Sequence, residues 1–287
     1  MKNNPILSQI ALVVIYVIAF VLGFLVFNLM DGNLILRVLV MDVVATLIVY
    51  LFSTILKNAS VYDPYWSVFP VVISIFLMIY LKSYNVITYI TVVLVTLWGL
   101  RLTINCLYRF KNLNNIDWRY EHFRMKHPKL WPLINLTGIH LFPTAVVFLC
   151  MLPVISLINA ESIGTGAFNL SSILGILIAV VGILLELICD IQLHYYQKKY
   201  PNQLIKQGLR KNSRHPNYLG EILFWFGMFL FMLSLMENMW ILCLGPIVNL
   251  LMFSFVSIPL MDKHMLENYP EYKEYMETTN PLLPLKK

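Results

Sequence analysis

Asn217 and Glu221, within "NSRHPNYLGEI" (Asn212 to Ile222), stand four residues apart directly after a run of cations. Upstream, Glu186, Asp190 and His194 recur at the same spacing. At 3.6 residues per turn each set shares one helix face. Carboxylates, an amide and an imidazole so arranged can bind hydroxyl and amide groups of a ligand, hold a proton, or form a polar seam with a neighbouring helix. The stripe runs into Lys198 and Lys199, so one elongated ligand could touch both carboxylates and cations. His215 and Pro216 end the basic loop, Asn217 is expected to cap the next helix, and Gly220 allows close approach of backbone or ligand. With Arg210, Lys211 and Arg214 alongside, that positive helix end suits a phosphate. Glu221, one turn above Asn217, should face other helices. No metal centre is expected, because the six histidines are dispersed without an HxxH pair. Cys106, Cys150, Cys189 and Cys243 lack paired spacing and read as small core residues.

The elements that must position these groups are membrane helices. The chain has 287 residues, of which 59% are hydrophobic and 13% charged, and its mean hydropathy is +0.72. No soluble domain of this length could hide so much apolar surface in one core. A crossing needs about 20 apolar residues as helix. Candidate stretches run from Ile6 to Leu29, Leu34 to Leu56, Trp66 to Leu81, Val86 to Leu107, Pro132 to Ile158, Leu170 to Tyr196, Tyr218 to Met236 and Met239 to Leu260. The third is short. The fold class is therefore all-α, a polytopic bundle of seven to eight spans. The first stretch is too long for a removable signal peptide and lacks its cleavage site.

Charge orients the bundle. The loop from Tyr108 to Trp131 holds Arg109, Lys111, Arg119, Arg124, Lys126 and Lys129; the loop from Gln197 to Pro216 holds Lys198, Lys199, Lys206, Arg210, Lys211 and Arg214 without an acid. Cytoplasmic loops are enriched in Lys and Arg, which places both loops and both termini in the cytosol. Asp31 and Glu161 fall on the opposite side. The basic face can attract anionic headgroups or a polyanionic ligand. Nucleic acid is not expected, since neither loop carries a reading motif.

"CDIQLHYYQKKYPNQLIKQGLRKNSRHPNYLGEILFWFG", followed by "MDKHMLENYPEYKEYMETTNPLLP", resembles the C-terminal domain of the steroid 5-alpha-reductase family. "DPYWSVFP", "TLWGLRLT", and "DWRYEHFR" through "INLTGIH" are similar to its bacterial members of unassigned function. The resemblance implies an NADPH-dependent oxidoreductase acting on a conjugated carbon-carbon double bond. Residues 1–107 would line the chamber for a lipophilic, steroid-like substrate, and residues 108–287 would hold the cofactor, all within one membrane domain. Asn217 would contact the nicotinamide end, and Asp190 would help hold the dinucleotide. Glu186 stands where many relatives have Asn. Arg101, Arg109, Lys198, Arg210 and Arg214 would serve the phosphates, and His194, His215, Tyr218, Asp262, His264 and Tyr269 complete the expected cofactor-binding set.

Family reductases polarise the ketone with a Glu and a Tyr from early spans. Here Asp63 falls at the Glu position and Trp98 at the Tyr position, and an indole cannot act as an acid. Tyr62 or Tyr65 would have to substitute. A carboxyl kept dry among apolar helices can stay protonated and donate a hydrogen bond to the developing oxyanion. Asp63 is the expected donor, with Tyr62 and Glu221 as the other catalytic candidates. The substrate would enter sideways from the bilayer past Trp66, Phe69 and Trp98.

Two rivals remain at this level. An S-adenosylmethionine-dependent methyltransferase of the isoprenylcysteine carboxyl methyltransferase type shares an "RHPxYxG" turn, but its sulfonium donor needs few cations. A transporter or structural membrane protein would use the polar stripe as pathway or seam, without tight dinucleotide binding.

Overall fold

The computed structural model describes residues 3–160 and 168–285. Eight segments among them are long and apolar enough to cross a membrane. The chain is an all-α, multi-pass integral membrane protein. Its contacts divide it into two compact units, Met1–Ile158 and Asn159–Lys287. The fifth span, expected in the cofactor-binding part of the chain, thus belongs to the first unit. Glu161 lies outside the described residues.

Unit 1 contains α1 (Pro5–Leu29), α2 (Leu34–Leu56), a 3-10 turn (Ala59–Tyr62) leading into α3 (Tyr65–Tyr80), α4 (Val86–Arg109), a short α5 (Trp118–Lys126) and α6 (Trp131–Ile158). With few charges to spend, the chain starts its spans with asparagine. Asn4, Asn33 and Asn85 accept from the backbone N–H of Leu7, Ile35 and Thr88 at 3.2, 2.7 and 2.9 Å. Each satisfies one first-turn donor that lipid could not. Residues exposed along α1, such as Val13, Val17 and Leu25, are large and apolar. Its buried face is lined by Ser8, Leu12, Ile15, Ala19 and Gly23.

α6 widens into π-helical turns over Ile134–Leu141, directly before Pro143. A proline ring collides with the carbonyl four residues back, and a wider turn relieves that collision. The last span repeats the device over Phe253–Ser257, just before Pro259.

Unit 2 contains α7 (Leu170–Lys199), α8 (Pro216–Leu233), α9 (Glu237–Asn268, a span of 3-10, α and π turns) and α10 (Tyr272–Thr278). α7 and α8 meet backbone to backbone. A Cβ added at Gly182 would lie 2.6 Å from the Gly220 carbonyl oxygen and 2.7 Å from the Phe224 nitrogen. Gly175 and Gly227 face equally close backbone. Small residues are what let spans approach this closely in lipid, where dispersion and not water drives association. Gly182→Ala is expected to cost about 1–3 kcal/mol by overpacking. Gly138→Ala, whose nearest neighbour is the Ile134 side chain at 4.0 Å, serves as the tolerated control in thermal unfolding.

Candidate functional site

Unit 1 buries a polar cluster among its spans. Asp42 is the lone carboxylate of α2 and is 5% exposed. Tyr65, at the start of α3, donates its hydroxyl proton to Asp42 Oδ1 at 3.1 Å. Beside this pair, Tyr62 shares a hydrogen bond of 2.7 Å with the Thr144 hydroxyl of α6, and Thr144 shares one of 3.0 Å with Thr46 of α2. Ring contacts join the two phenols, with Tyr62 and Tyr65 centroids 5.5 Å apart.

Asp42, Tyr62, Tyr65 and Thr144 line a cavity whose remaining walls are apolar and aromatic, among them Trp66, Phe69, Phe148 and Met151. Its volume is about 10 Å³, room for roughly one water. Of its lining residues Trp66 and Val147 are half-buried and the others are buried. A few polar groups on an apolar lining are the usual make-up of a small-molecule site.

Asp63 is placed elsewhere. It is not among the cavity's lining residues and instead accepts from the Tyr120 hydroxyl of α5. Next to it Arg119 grips Asp117 through two hydrogen bonds, at 2.7 and 3.0 Å, and the Asp117 N–H donates to Ser60 at 2.8 Å. Burial alone would raise the Asp117 carboxyl, but the Arg119 hydrogen bonds and charge outweigh it and hold the group below its ordinary range. Asp63 and its neighbours thus tie the loop after α4 to the 3-10 turn. Trp98 is fully buried, with its ring 6.0 Å from that of Trp66, and is not a cavity wall. Arg101 is buried in α4, whereas Arg109 is exposed at its end.

In unit 2 the motif lies at the start of α8, and the cap differs from expectation. His215 holds the N-cap position and Pro216 is the first helical residue, so Asn217 sits inside the first turn. Proline's fixed φ and missing N–H suit that first position better than any other helical one. Asn217 and Tyr218 remain part-exposed. Glu221 is buried and accepts from Trp225 Nε1 at 2.7 Å, one turn on. Glu186 is buried in the α7–α8 seam, its side chain pressed against Gly220, while Asp190 and His194 on the same face are half-buried.

Asp262 of α9 gathers the basic motif. It accepts from Arg214 Nη2 at 2.7 Å, from His215 Nε2 at 2.8 Å and from the Tyr272 hydroxyl. Arg214 also donates to the carbonyls of Thr279 and Met276 at 2.7 and 3.3 Å. The backbone N–H groups of Arg214 and His215 reach Asn280 and Pro281 at 2.9 Å each. The C-terminal segment is thereby strapped to the start of α8. Tyr269 packs with Leu204, Tyr272 and Tyr275, and His264 is half-buried beside Asn268. Tyr218 is sandwiched between His215 and Phe253, at 5.1 and 4.7 Å between centroids.

Arg214 thus spends both terminal nitrogens, and Arg210 gives its own to the Arg214 carbonyl at 2.8 Å and to the Cys189 sulfur at 3.6 Å. Left over are the buried Nε–H groups of Arg210 and Arg214, which lack a protein acceptor, and the exposed Lys198, Lys199 and Lys211.

Burial is the largest influence on His215 and lowers its pKa despite the pull of Asp262; Arg210 and Arg214 push the same way as burial. The folded imidazole therefore stays neutral at pH values where the unfolded one, near 6.5, takes a proton. In that window the unfolded state binds more protons, so stability falls as pH drops below about 6.5, by up to about 1.4 kcal/mol per pH unit. Melting temperatures between pH 5 and 7 should show this slope, and His215→Gln should flatten it.

Asp42, Thr144 and His140 stand outside the site residues expected from the sequence. Asp42 was nonetheless findable: it is an acid with nearly a full turn of apolar residues on either side in a spanning stretch, and such a residue marks function or a buried partner.

Comparisons with known proteins give no activity. No solved structure matches the chain. An uncharacterized protein of Schizosaccharomyces pombe is 27% identical over 255 residues, covering 79% of this chain and 73% of that protein. Residues 49–279 match the sequence model of the family described as "Protein of unknown function (DUF1295)", and with a match over most of its length the chain belongs to the DUF1295 family.

Proposed function

We propose that the protein is a membrane-embedded, NADPH-dependent reductase of a conjugated carbon-carbon double bond in a lipophilic ketone, with both termini and the basic loops in the cytosol. The observation that carries this reading is the Asp42–Tyr65 pair, an acid and a phenol from the second and third spans that meet on the wall of an apolar cavity. The resemblance implies an acid and a tyrosine from early spans. Asp42 and Tyr65 supply those two residue types, in place of Asp63 and Trp98.

NADPH, when bound, supplies a hydride to the β carbon of the enone. Negative charge then grows on the ketone oxygen, and the Tyr65 hydroxyl, turning from Asp42 Oδ1 to the substrate, would donate to it. A protonated Asp42 would then donate to the phenolic oxygen in the reverse sense and pass its proton on as the phenol proton moves to the substrate. The enol formed returns its proton to the α carbon, so that the product has gained one hydride and one proton. Thr46, Thr144 and Tyr62 hold the wall of the cavity in one arrangement through their hydroxyl chain. The dry surroundings strengthen each of these hydrogen bonds.

In unit 2, the Nε–H groups of Arg210 and Arg214 and the exposed lysines would hold phosphates. Asp190 would accept from ribose hydroxyls, and Asn217 would meet the nicotinamide amide. Lys198, Lys199 and Lys211 offer more positive charge than a sulfonium cofactor needs.

The test is thermal unfolding of detergent-purified protein titrated with NADPH and, separately, with S-adenosylmethionine. A ligand at about 100 times its Kd stabilises by about 2.7 kcal/mol. NADPH is expected to raise the melting temperature and Asn217→Ala to reduce that rise. A shift with S-adenosylmethionine alone would replace the reductase reading by the methyltransferase one.

A further inference from the structure

The two basic loops differ in what their cations do. In the second, Arg210 and Arg214 spend their terminal nitrogens on protein acceptors, and Lys206 donates to the Glu271 carbonyl at 3.3 Å. In the first, Arg124, Lys126 and Lys129 are exposed, and among the described residues their side chains have neither a hydrogen bond nor an ion pair. Glu121 is the one acid within α5, and from His122 to Ala160 the sequence has none.

Large apolar side chains share this stretch with the cations. Between the α4 and α6 spans, Phe110 and Leu113 are buried and Ile116, Trp118 and Phe123 half-buried, yet Met125 is 77% and Leu130 55% exposed. The docking of α5 accounts for the difference. Tyr120 and Met125 stand five residues, about 140°, apart around the helix, so the bond from Tyr120 to Asp63 turns Met125 away from the rest of unit 1.

The stretch is held at the end of a span. The N–H groups of His127, Leu130 and Ile134 reach the carbonyls of Phe123, His127 and Leu130 at 2.9, 3.1 and 2.9 Å. By these successive turns the chain passes from α5 into α6, whose membrane span opens at Trp131. Tryptophan favours the headgroup level. Leu130 precedes it by one residue and Met125 by six, at most about 20 Å of chain and less through the turns. Both apolar side chains are thus within reach of the acyl boundary.

Arg124 and Lys126 also suit the C-terminal end of the α5 dipole, but that explains neither Lys129 nor the exposed apolar pair. A soluble polyanion would engage the cations and leave Met125 and Leu130 in water. An anionic lipid surface takes both sets: phosphates meet the cations, and the acyl boundary covers the apolar side chains.

We propose that residues 124–130 are a docking surface for the headgroups of anionic phospholipids, with Arg124, Lys126 and Lys129 on the phosphates and Met125 and Leu130 anchored at the acyl boundary. The inference stands apart from the reductase reading, because none of these residues is assigned to substrate or cofactor.

The experiment offers the purified full chain equal amounts of dioleoylphosphatidylglycerol and dioleoylphosphatidylcholine, which differ only in the headgroup, and counts the retained lipids by native mass spectrometry. The wild type is expected to retain the anionic lipid preferentially. Arg124→Gln, Lys126→Gln and Lys129→Gln together should remove that preference, by about fivefold for each cation lost. Met125→Ser with Leu130→Ser should weaken it, and neutralising Lys198, Lys199 and Lys211 in the other loop should leave most of it in place. The wild-type comparison needs no variant to fold. Equal retention of the two lipids by the wild type, or a preference unchanged by the triple substitution or equally lost from the other loop, would overturn the proposal. A preference that survives Met125→Ser with Leu130→Ser would overturn it as well, and displacement by inorganic tripolyphosphate would then identify a soluble polyanion as the occupant.

Discussion

Asp42→Asn is expected to lower the rate of enone reduction by about 10²–10³-fold, within the usual worth of a proton supplied by a positioned general acid. The substitution keeps shape and hydrogen-bonding capacity but leaves no proton to pass to Tyr65. Tyr65→Phe should cost a similar factor. Because the two act on one proton path, the double variant should be little worse than either single one. Asp63→Asn separates this account from the alternative assignment. Its partner is Tyr120, outside the cavity lining, so its effect on rate should be within about tenfold. The readout is nicotinamide oxidation by purified protein over a panel of lipophilic enones. In all three variants the thermal shift with NADPH should persist, since none of these residues belongs to unit 2. A fast Asp42→Asn enzyme beside a slow Asp63→Asn one would return the donor role to Asp63.

Asp262→Ala should cause the largest loss of stability, about 3–5 kcal/mol. The carboxylate is the common acceptor for Arg214, His215 and Tyr272. Its removal leaves a guanidinium, 5% exposed, without its counter-charge. An uncompensated buried charge costs far more than the intact pair gains, and this asymmetry makes the effect large. At about 2–4 °C per kcal/mol, the melting temperature should drop by roughly 6–20 °C. Tyr272→Phe removes a single donor to the same carboxylate and should cost about 1–3 kcal/mol. The C-terminal segment should become sensitive to protease in the Asp262 variant first, because Arg214 also holds the Thr279 and Met276 carbonyls. A drop within about 1 kcal/mol would mean that the strap does not depend on this carboxylate.

Some of this was legible in the sequence, and the reason lies in which forces act locally. The spans follow from apolar length alone, since lipid leaves the backbone no other partner. Asparagines at the starts of spans mark caps through the same need. The burial of Glu186 and Glu221 followed from helical spacing. What spacing could not give was the partner. Arg210 and Arg214 read as phosphate ligands, yet Arg214 is largely consumed by Asp262, 48 residues away in sequence. Asp63 stands at the matching motif position, but the chain turns it toward Tyr120, and Asp42 reaches the cavity from another helix. The N-cap shifted from Asn217 to His215 because proline's preference for the first helical position outweighed asparagine's for the cap. Of the glycine seam between α7 and α8 only the close approach at Gly220 was legible, and not its partner Gly182, as a small residue does not say which neighbour it admits.

The most direct test of the central claim follows the hydride. Purified protein is incubated with a lipophilic enone and NADPH carrying deuterium at the transferring position, and the product is read by mass spectrometry. The account predicts a saturated ketone with one deuterium at the β carbon, formed by the native chain and suppressed in Asp42→Asn. Recovery of unreduced enone across the panel, or of a methylated product once S-adenosylmethionine is supplied, would contradict it.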